Sequence, residues 1–171
     1  MGGHGGIAVN YAKAMAKNGI TFVGYDQRGH GRSEGERGYL DNSKEILKDA
    51  KNFISEVRKI YTKEPIFLMG YTLGSLMCFI IAKELKDFKF SGLILLSPSM
   101  KKPSHNKMIS AVSDFALKLM PNKTGIFEFK YENGCKNPTA AEFMKNDPLN
   151  YHGKVYSGTL SQLLGLMDMI P

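Results

Sequence analysis

Cysteine is scarce. Two residues, Cys78 and Cys135, are too few for a disulfide framework. No apolar run reaches 18 residues and no signal peptide opens the chain, so an intracellular, cytoplasmic protein that does not span a membrane is expected. A G-x-G-x-x-G fingerprint and a Gly-Lys-Ser/Thr triplet are both missing, which excludes the common nucleotide sites. Also missing is any basic stripe interleaved with aromatics. The net charge of +7 favours anionic surfaces, yet the lysines are scattered over the chain. They read as a solvated basic surface, and no nucleic-acid partner is expected. No cofactor and no metal are expected either.

What is present suits one soluble domain: 171 residues, 43% hydrophobic and 23% charged. The informative stretch is Pro65–Leu85. A short apolar run, Ile66 to Met69, has the length of a buried strand, and Leu76 to Leu85 is long enough for a buried helix. Between them stands Gly70-Tyr71-Thr72-Leu73-Gly74, a Gly-x-Thr-x-Gly corner with a hydroxyl at its tip. Small residues two before and two after the tip are what a strand-to-helix elbow needs. Such an elbow lifts one side chain above a sheet and aims the following N–H at an oxyanion. The pentapeptide also arises at joints that carry no chemistry, so its meaning depends on its surroundings.

The chain opens Met-Gly-Gly-His-Gly-Gly, either an oxyanion segment of the HGxG type or a glycine-rich frayed end. Ala8, Tyr11, Ala12 and Met15 follow at helical spacing, closed by Asn18-Gly19. Ile20–Tyr25 reads as a strand that enters the glycine-rich loop Asp26 to Gly35, whose arginines and acids are expected to brace one another. Asn42 or Ser43 can cap a helix whose apolar face is Ile46, Ala50, Phe53, Val57 and Ile60. Gly92–Leu96 is a third apolar strand. Three strands with helices between them, each apolar enough to be buried on both faces, predict a parallel sheet flanked by helices. Beyond Pro98 the prolines multiply. Met108, Val112, Phe115 and Leu119 then lie on a broad apolar helical face suited to lipid, or to simple packing on the domain. Leu160, Leu163, Leu164 and Met167 form a last helical stripe within Val155–Ile170.

In order, the motifs are HGG, D-x-R-G-H-G-x-S-x-G, G-x-T-x-G, LLSP and NDPL. Together they resemble a monoacylglycerol lipase-like serine hydrolase of the α/β-hydrolase superfamily, over essentially all of the chain. The resemblance implies a partial α/β-hydrolase fold, an α/β class with a helical cap after the third strand. The core would be 1–100 and the cap 101–171. It implies acyl transfer to a hydroxyl and then hydrolysis, with a monoacylglycerol or lysophospholipid as substrate. Thr72 takes the nucleophile position, and the N–H groups of Gly6 and Leu73 take the oxyanion positions. The cap face of Met108, Val112, Phe115 and Leu119 would line the substrate groove and make peripheral membrane contact.

Three departures accompany the resemblance. Thr72 stands where the family has serine, and its extra methyl crowds a strained elbow. The family's chain order puts an acid and then a histidine after the elbow. Here the only later histidines, His105 and His152, map to the cap, so the triad acid and base are absent. The strand expected before His4 is also absent. In the family it lies between Ile20–Tyr25 and the strand Ile66–Met69, which would otherwise begin about 9.6 Å apart, so the sheet is expected to be defective there. The expectation is therefore a chain incomplete at both ends and inactive. A catalytically dead lipid- or partner-binding module is the alternative, and a threonine enzyme completed by a second chain is a third. No histidine oriented by a buried carboxylate is expected.

Overall fold

The computed structural model describes residues 2–40, 42–100, 119–128, 130 and 136–170. They fall into two compact units, one of residues 1–40 and 123–156, the other of residues 41–122 and 157–171. Both units draw on the expected core and on the expected cap.

The second unit is organised around a buried helix. Helix α2 (Ser43–Ile60) starts at Asn42, whose side chain accepts the Lys44 N–H. Strand β1 (Phe67–Tyr71) leads into helix α3 (Leu73–Glu84), and strand β2 (Gly92–Leu96) pairs with β1 in parallel, Phe67 opposite Gly92 and Tyr71 opposite Leu96. Helix α3 packs against both strands and also against α2 and the last helix, α5 (Ser157–Met167). The core lies among these helices: Leu76, Ile80 and Leu166 are fully buried, joined by Ile46, Leu47, Ala50 and Ile54 of α2. Such side chains contribute roughly 1.5–3 kcal/mol each when withdrawn from water. Polar ties fix the layers. The Ser43 N–H donates to Gln162 Oε1 at 3.0 Å, and Lys51 pairs with Glu84.

The first unit is built mostly of turns. A 3-10 turn (Gly5–Ala8) runs into helix α1 (Val9–Ala16). The helix closes as the Asn18-Gly19 pair predicts: the Ile20 N–H reaches the Met15 carbonyl, the Gly19 N–H reaches that of Ala16, and Gly19 has a positive φ of 73°. Strands β3 (Gly125–Glu128) and β4 (Lys154–Tyr156) pair antiparallel with a bulge between Gly125 and Phe127, and helix α4 (Pro138–Asn146) lies between them in sequence.

Three expectations need correction. Ile20–Tyr25 forms no strand, and Ile20 and Val23 are about half exposed. A strand exists only where its backbone groups find a ladder, and among the described residues none pairs with this segment. Nor are β1 and β2 buried on both faces: Phe67 and Tyr71 are 55% and 65% exposed, and Leu93 and Ile94 are also open. Two strands backed by α3 cannot enclose the apolar surface that a wider, doubly covered sheet would. In addition, 101–171 is not purely helical, since β3 and β4 lie there and α5 begins at Ser157 rather than Val155.

Candidate active site

The elbow forms as its glycines require. Thr72 has φ 52° and ψ −106°, a conformation that β-branched residues almost never adopt. Three bonds hold it. The Thr72 N–H donates to the Leu96 carbonyl at the end of β2, 2.9 Å away. The Leu76 N–H reaches back to the Thr72 carbonyl at 3.3 Å. The Ser75 hydroxyl, fully buried, lies 2.7 Å from the Gly70 carbonyl and 3.0 Å from that of Leu96, so its single proton ties helix α3 to both strands. A Cβ at Gly70 would fall on the backbone of Gly74 and Ser75. The crossing of strand and helix is that close. The Thr72 side chain caps nothing in α3, and Leu73, whose N–H is the expected oxyanion donor, is the first residue of that helix.

The described histidines all lie in the other unit. The His4 imidazole accepts the Gly6 N–H at Nδ1, 3.1 Å, and donates from Nε2 to Asp147 Oδ2, 2.8 Å. Those two bonds coexist only in the neutral tautomer that carries its proton on Nε2. The second Asp147 oxygen accepts the Leu149 N–H at 2.9 Å. The hydrogen bond from His4, then that from Leu149, holds the Asp147 carboxyl below the usual carboxylate range. No histidine oriented by a buried carboxylate was expected; Asp147, a partly exposed carboxylate, nevertheless orients His4. Both side chains were visible in the sequence, but a separation of 143 positions leaves no local signal.

Asp26 behaves as the loop predicts. It accepts the Gly5 N–H at 2.6 Å and the Arg32 N–H at 2.8 Å, and the Ser33 hydroxyl closes on its carbonyl at 2.6 Å. Burial opposes its ionisation, but the Arg32 and Gly5 N–H groups outweigh burial and keep the carboxyl low. A Cβ at Gly31, where φ is 54°, would fall inside that carboxyl group. His30 braces the loop through Nδ1 on the Arg28 carbonyl, 3.0 Å, and burial pushes its pKa down. His152 Nε2 donates to the Asp147 carbonyl at 2.9 Å.

Of the expected site residues, Thr72 and Leu73 are therefore adjacent at one helix start, while Gly6 lies in the unit of His4 and Asp147. Met108, Val112 and Phe115 lie outside the described residues, and Leu119 is 71% exposed. Among the described residues, the unit that carries Thr72 contains no histidine. Sequence reasoning missed Asp147 as the partner of His4, and Ser75 as the clamp of the elbow. A serine one turn into an otherwise apolar helix was the available signal for Ser75. Among the described residues no cluster of His, Cys, Asp and Glu is placed to hold a metal ion, and no helix is long and apolar enough to cross a membrane.

Comparison with known proteins brings in a family. The model of the family described as "Serine aminopeptidase, S33" matches residues 1–171. The chain is 25% identical over 170 residues to the monoglyceride lipase of Rattus norvegicus, covering 99% of this chain and 56% of that protein. To the monoacylglycerol lipase of Mycolicibacterium smegmatis it is 24% identical over 171 residues, covering 98% and 60%. Among solved structures, the Saccharomyces cerevisiae monoglyceride lipase, a soluble variant with a substrate analogue, superposes with a TM-score of 0.78 at 18% identity. That match covers 98% of this chain and 56% of the yeast one. The monoacylglycerol lipase of Paleococcus ferrophilus gives 0.73 at 23% identity, covering 98% and 63%. These likenesses establish a partial α/β-hydrolase fold. The chain spans 56–60% of the length of the two lipases matched by sequence.

Proposed function

The chain belongs to the serine aminopeptidase, S33 family, and from that premise we propose that it serves lipid-ester chemistry. The substrate class is a monoacylglycerol or a lysophospholipid, with acyl transfer to the hydroxyl at position 72 followed by hydrolysis. The observation that carries this reading is the backbone of Thr72, held at φ 52° by three hydrogen bonds and a glycine crossing. Proteins retain such strain where a side chain must be presented. In this reading the N–H groups of Leu73 and Gly6 serve the oxyanion, and Met108, Val112, Phe115 and Leu119 contact the acyl chain and a membrane surface.

A second reading, a catalytically dead lipid-binding or partner-binding module, is favoured by the residue at the tip. Threonine adds a β-branch to an already strained conformation, and no described histidine of its unit can take its proton. An oxyanion hole and binding alone leave roughly 10³–10⁴-fold over water. We therefore expect the 171-residue chain to bind a non-hydrolysable monoalkylglycerol ether saturably, and to cleave p-nitrophenyl esters no faster than Thr72→Ala. Thr72→Ser alone should gain no reactivity toward a fluorophosphonate probe. Absence of saturable binding would remove the lipid reading. Ester turnover that Thr72→Ala abolishes would remove the inactive one.

A further inference from the structure

Three motifs far apart in sequence converge in the first unit: the glycine-rich opening, the loop after Asp26 and the Asn-Asp-Pro-Leu turn. Asp147 stands at their junction. One of its carboxylate oxygens takes the His4 Nε2–H and the other takes the Leu149 N–H, which fixes the carboxylate within its own turn. That turn is in turn fastened from two directions. The Arg37 guanidinium bridges the Leu149 carbonyl at 2.8 Å and the Gly31 carbonyl at 2.6 Å, and the Tyr151 N–H donates to the Gly2 carbonyl at 2.9 Å. His4 is nearly buried, its side chain 7% exposed, so its ring cannot trade these partners freely for water.

We propose that Asp147 is a positioning residue for the oxyanion segment, acting through His4 on the N–H of Gly6. A carboxylate can only accept, so it commits Nε2 to donating. A neutral ring with its proton on Nε2 has its lone pair at Nδ1, and that lone pair holds the Gly6 N–H at 3.1 Å. Asp147 thus decides which ring nitrogen faces Gly6. A proton on Nδ1 would set two donors against each other and open the first turn. The same N–H is the one the proposed function assigns to the oxyanion. A substrate oxygen arriving there must share or displace the bond to Nδ1, so the ring sets how that donor is aimed and how readily it is released. The inference rests on the proposed role of Gly6, but its structural content does not depend on turnover.

The test is the tautomer itself. Long-range proton–nitrogen correlation spectra of the 15N-labelled 171-residue chain at pH 8.5 report which nitrogen of each imidazole is protonated, with the His4 signals assigned by their loss in His4→Gln. The native chain should show His4 protonated on Nε2. In Asp147→Asn the side-chain amide can donate to Nε2, so Nδ1–H should appear. Exchange of the Gly6 amide proton should then accelerate about tenfold, the loss of one net hydrogen bond. Asp26→Asn, which disturbs the neighbouring Gly5 N–H, should leave the His4 tautomer as it was. His4 protonated on Nδ1 in the native chain would overturn the proposal, as would an Asp147→Asn chain with tautomer and Gly6 exchange unchanged. An equal switch in Asp26→Asn would overturn it too. If Asp147→Asn fails to fold, the native tautomer decides alone. None of these readouts uses activity, so an unreactive Thr72 would leave the result standing.

Discussion

The two units divide the hydroxyl of the proposed site and the described histidines unevenly. The unit of Thr72 holds a hydroxyl in a strained, tightly clamped elbow but has, among its described residues, no histidine to activate it. The unit of His4 holds three histidines and two low-pKa aspartates, each engaged with partners inside its own loops. In the unit of Thr72, geometry is specialised and, among the described residues, histidine is missing. In the unit of His4, the acid–base groups are abundant and serve as loop fasteners. Perturbed carboxylates are often taken as signs of catalysis. Here the same perturbation comes from N–H groups and an imidazole that hold turns together.

The largest effect should come from the elbow crossing. Gly70→Ala puts a methyl onto the backbone of Gly74 and Ser75, which cannot move without separating β1 from α3. A loss of about 3 kcal/mol or more is expected, beyond the usual range of overpacking by one methyl. Urea unfolding measures it. A loss below about 1 kcal/mol would mean that the elbow is loose and that the contrast between the units is overstated.

The sequence disclosed this elbow because its cause is local. Two glycines around a hydroxyl, an apolar run before and a longer one after, suffice to place Thr72. Helix α1 with its Asn18-Gly19 end and the Asn42 cap of α2 were legible for the same reason. The loop around Asp26 could be read as self-bracing from its glycines and charges. What escaped was non-local. Ile20–Tyr25 has strand composition, but composition does not supply a neighbouring strand, and the segment stays out of the sheets. The His4–Asp147 pair and the β3–β4 ladder each need residues far apart in the chain. Burial of β1 and β2 was over-read because apolar strands show what they could bury, not how many layers cover them.

A second effect tests whether the unit of Thr72 hides another activated nucleophile. Cys78 lies on α3, and burial pushes its thiol up to about 11. Only the thiolate is alkylated, so iodoacetamide at pH 8 should modify Cys78 about a hundredfold more slowly in the folded chain than in urea. Mass spectrometry of the Cys78 peptide gives both rates. Folded and unfolded rates within a factor of ten would contradict the view that this unit leaves its nucleophiles unactivated.

Strain at the tip should be measurable next. Thr72→Gly removes a non-glycine side chain from positive φ, relieving on the order of 1–3 kcal/mol, while the unfolded chain gains roughly 0.4–1 kcal/mol of entropy. A net stabilisation of about 1 kcal/mol is expected. A destabilised Thr72→Gly chain would show that the Thr72 side chain makes compensating contacts and that the elbow holds no reserve of strain.

The smallest effect concerns the other unit, where the comparison predicts two separate acid steps. Burial, against the opposing hydrogen bond to the Arg28 carbonyl, lowers the His30 pKa in the folded chain below its ordinary 6.5, with Arg37 acting in the same direction as burial. The unfolded chain therefore takes up this proton first as pH falls. Stability rises with pH wherever the unfolded state binds more protons. The His30 contribution is thus complete above 6.5 and is lost as pH falls through the folded value. Asp26 and Asp147 are depressed below 3.8, so their contribution is complete above 3.8 and disappears only as pH falls through their own folded values. Unfolding free energies of the native chain and His30→Gln, measured from pH 7.5 to 3, should converge between the two windows. The variant should have lost the upper step and kept the lower one. A difference between the two chains that stays flat from pH 7.5 to 5 would show that the loop accommodates a charged His30. The fastening role given to this unit's titratable groups would then fail at His30.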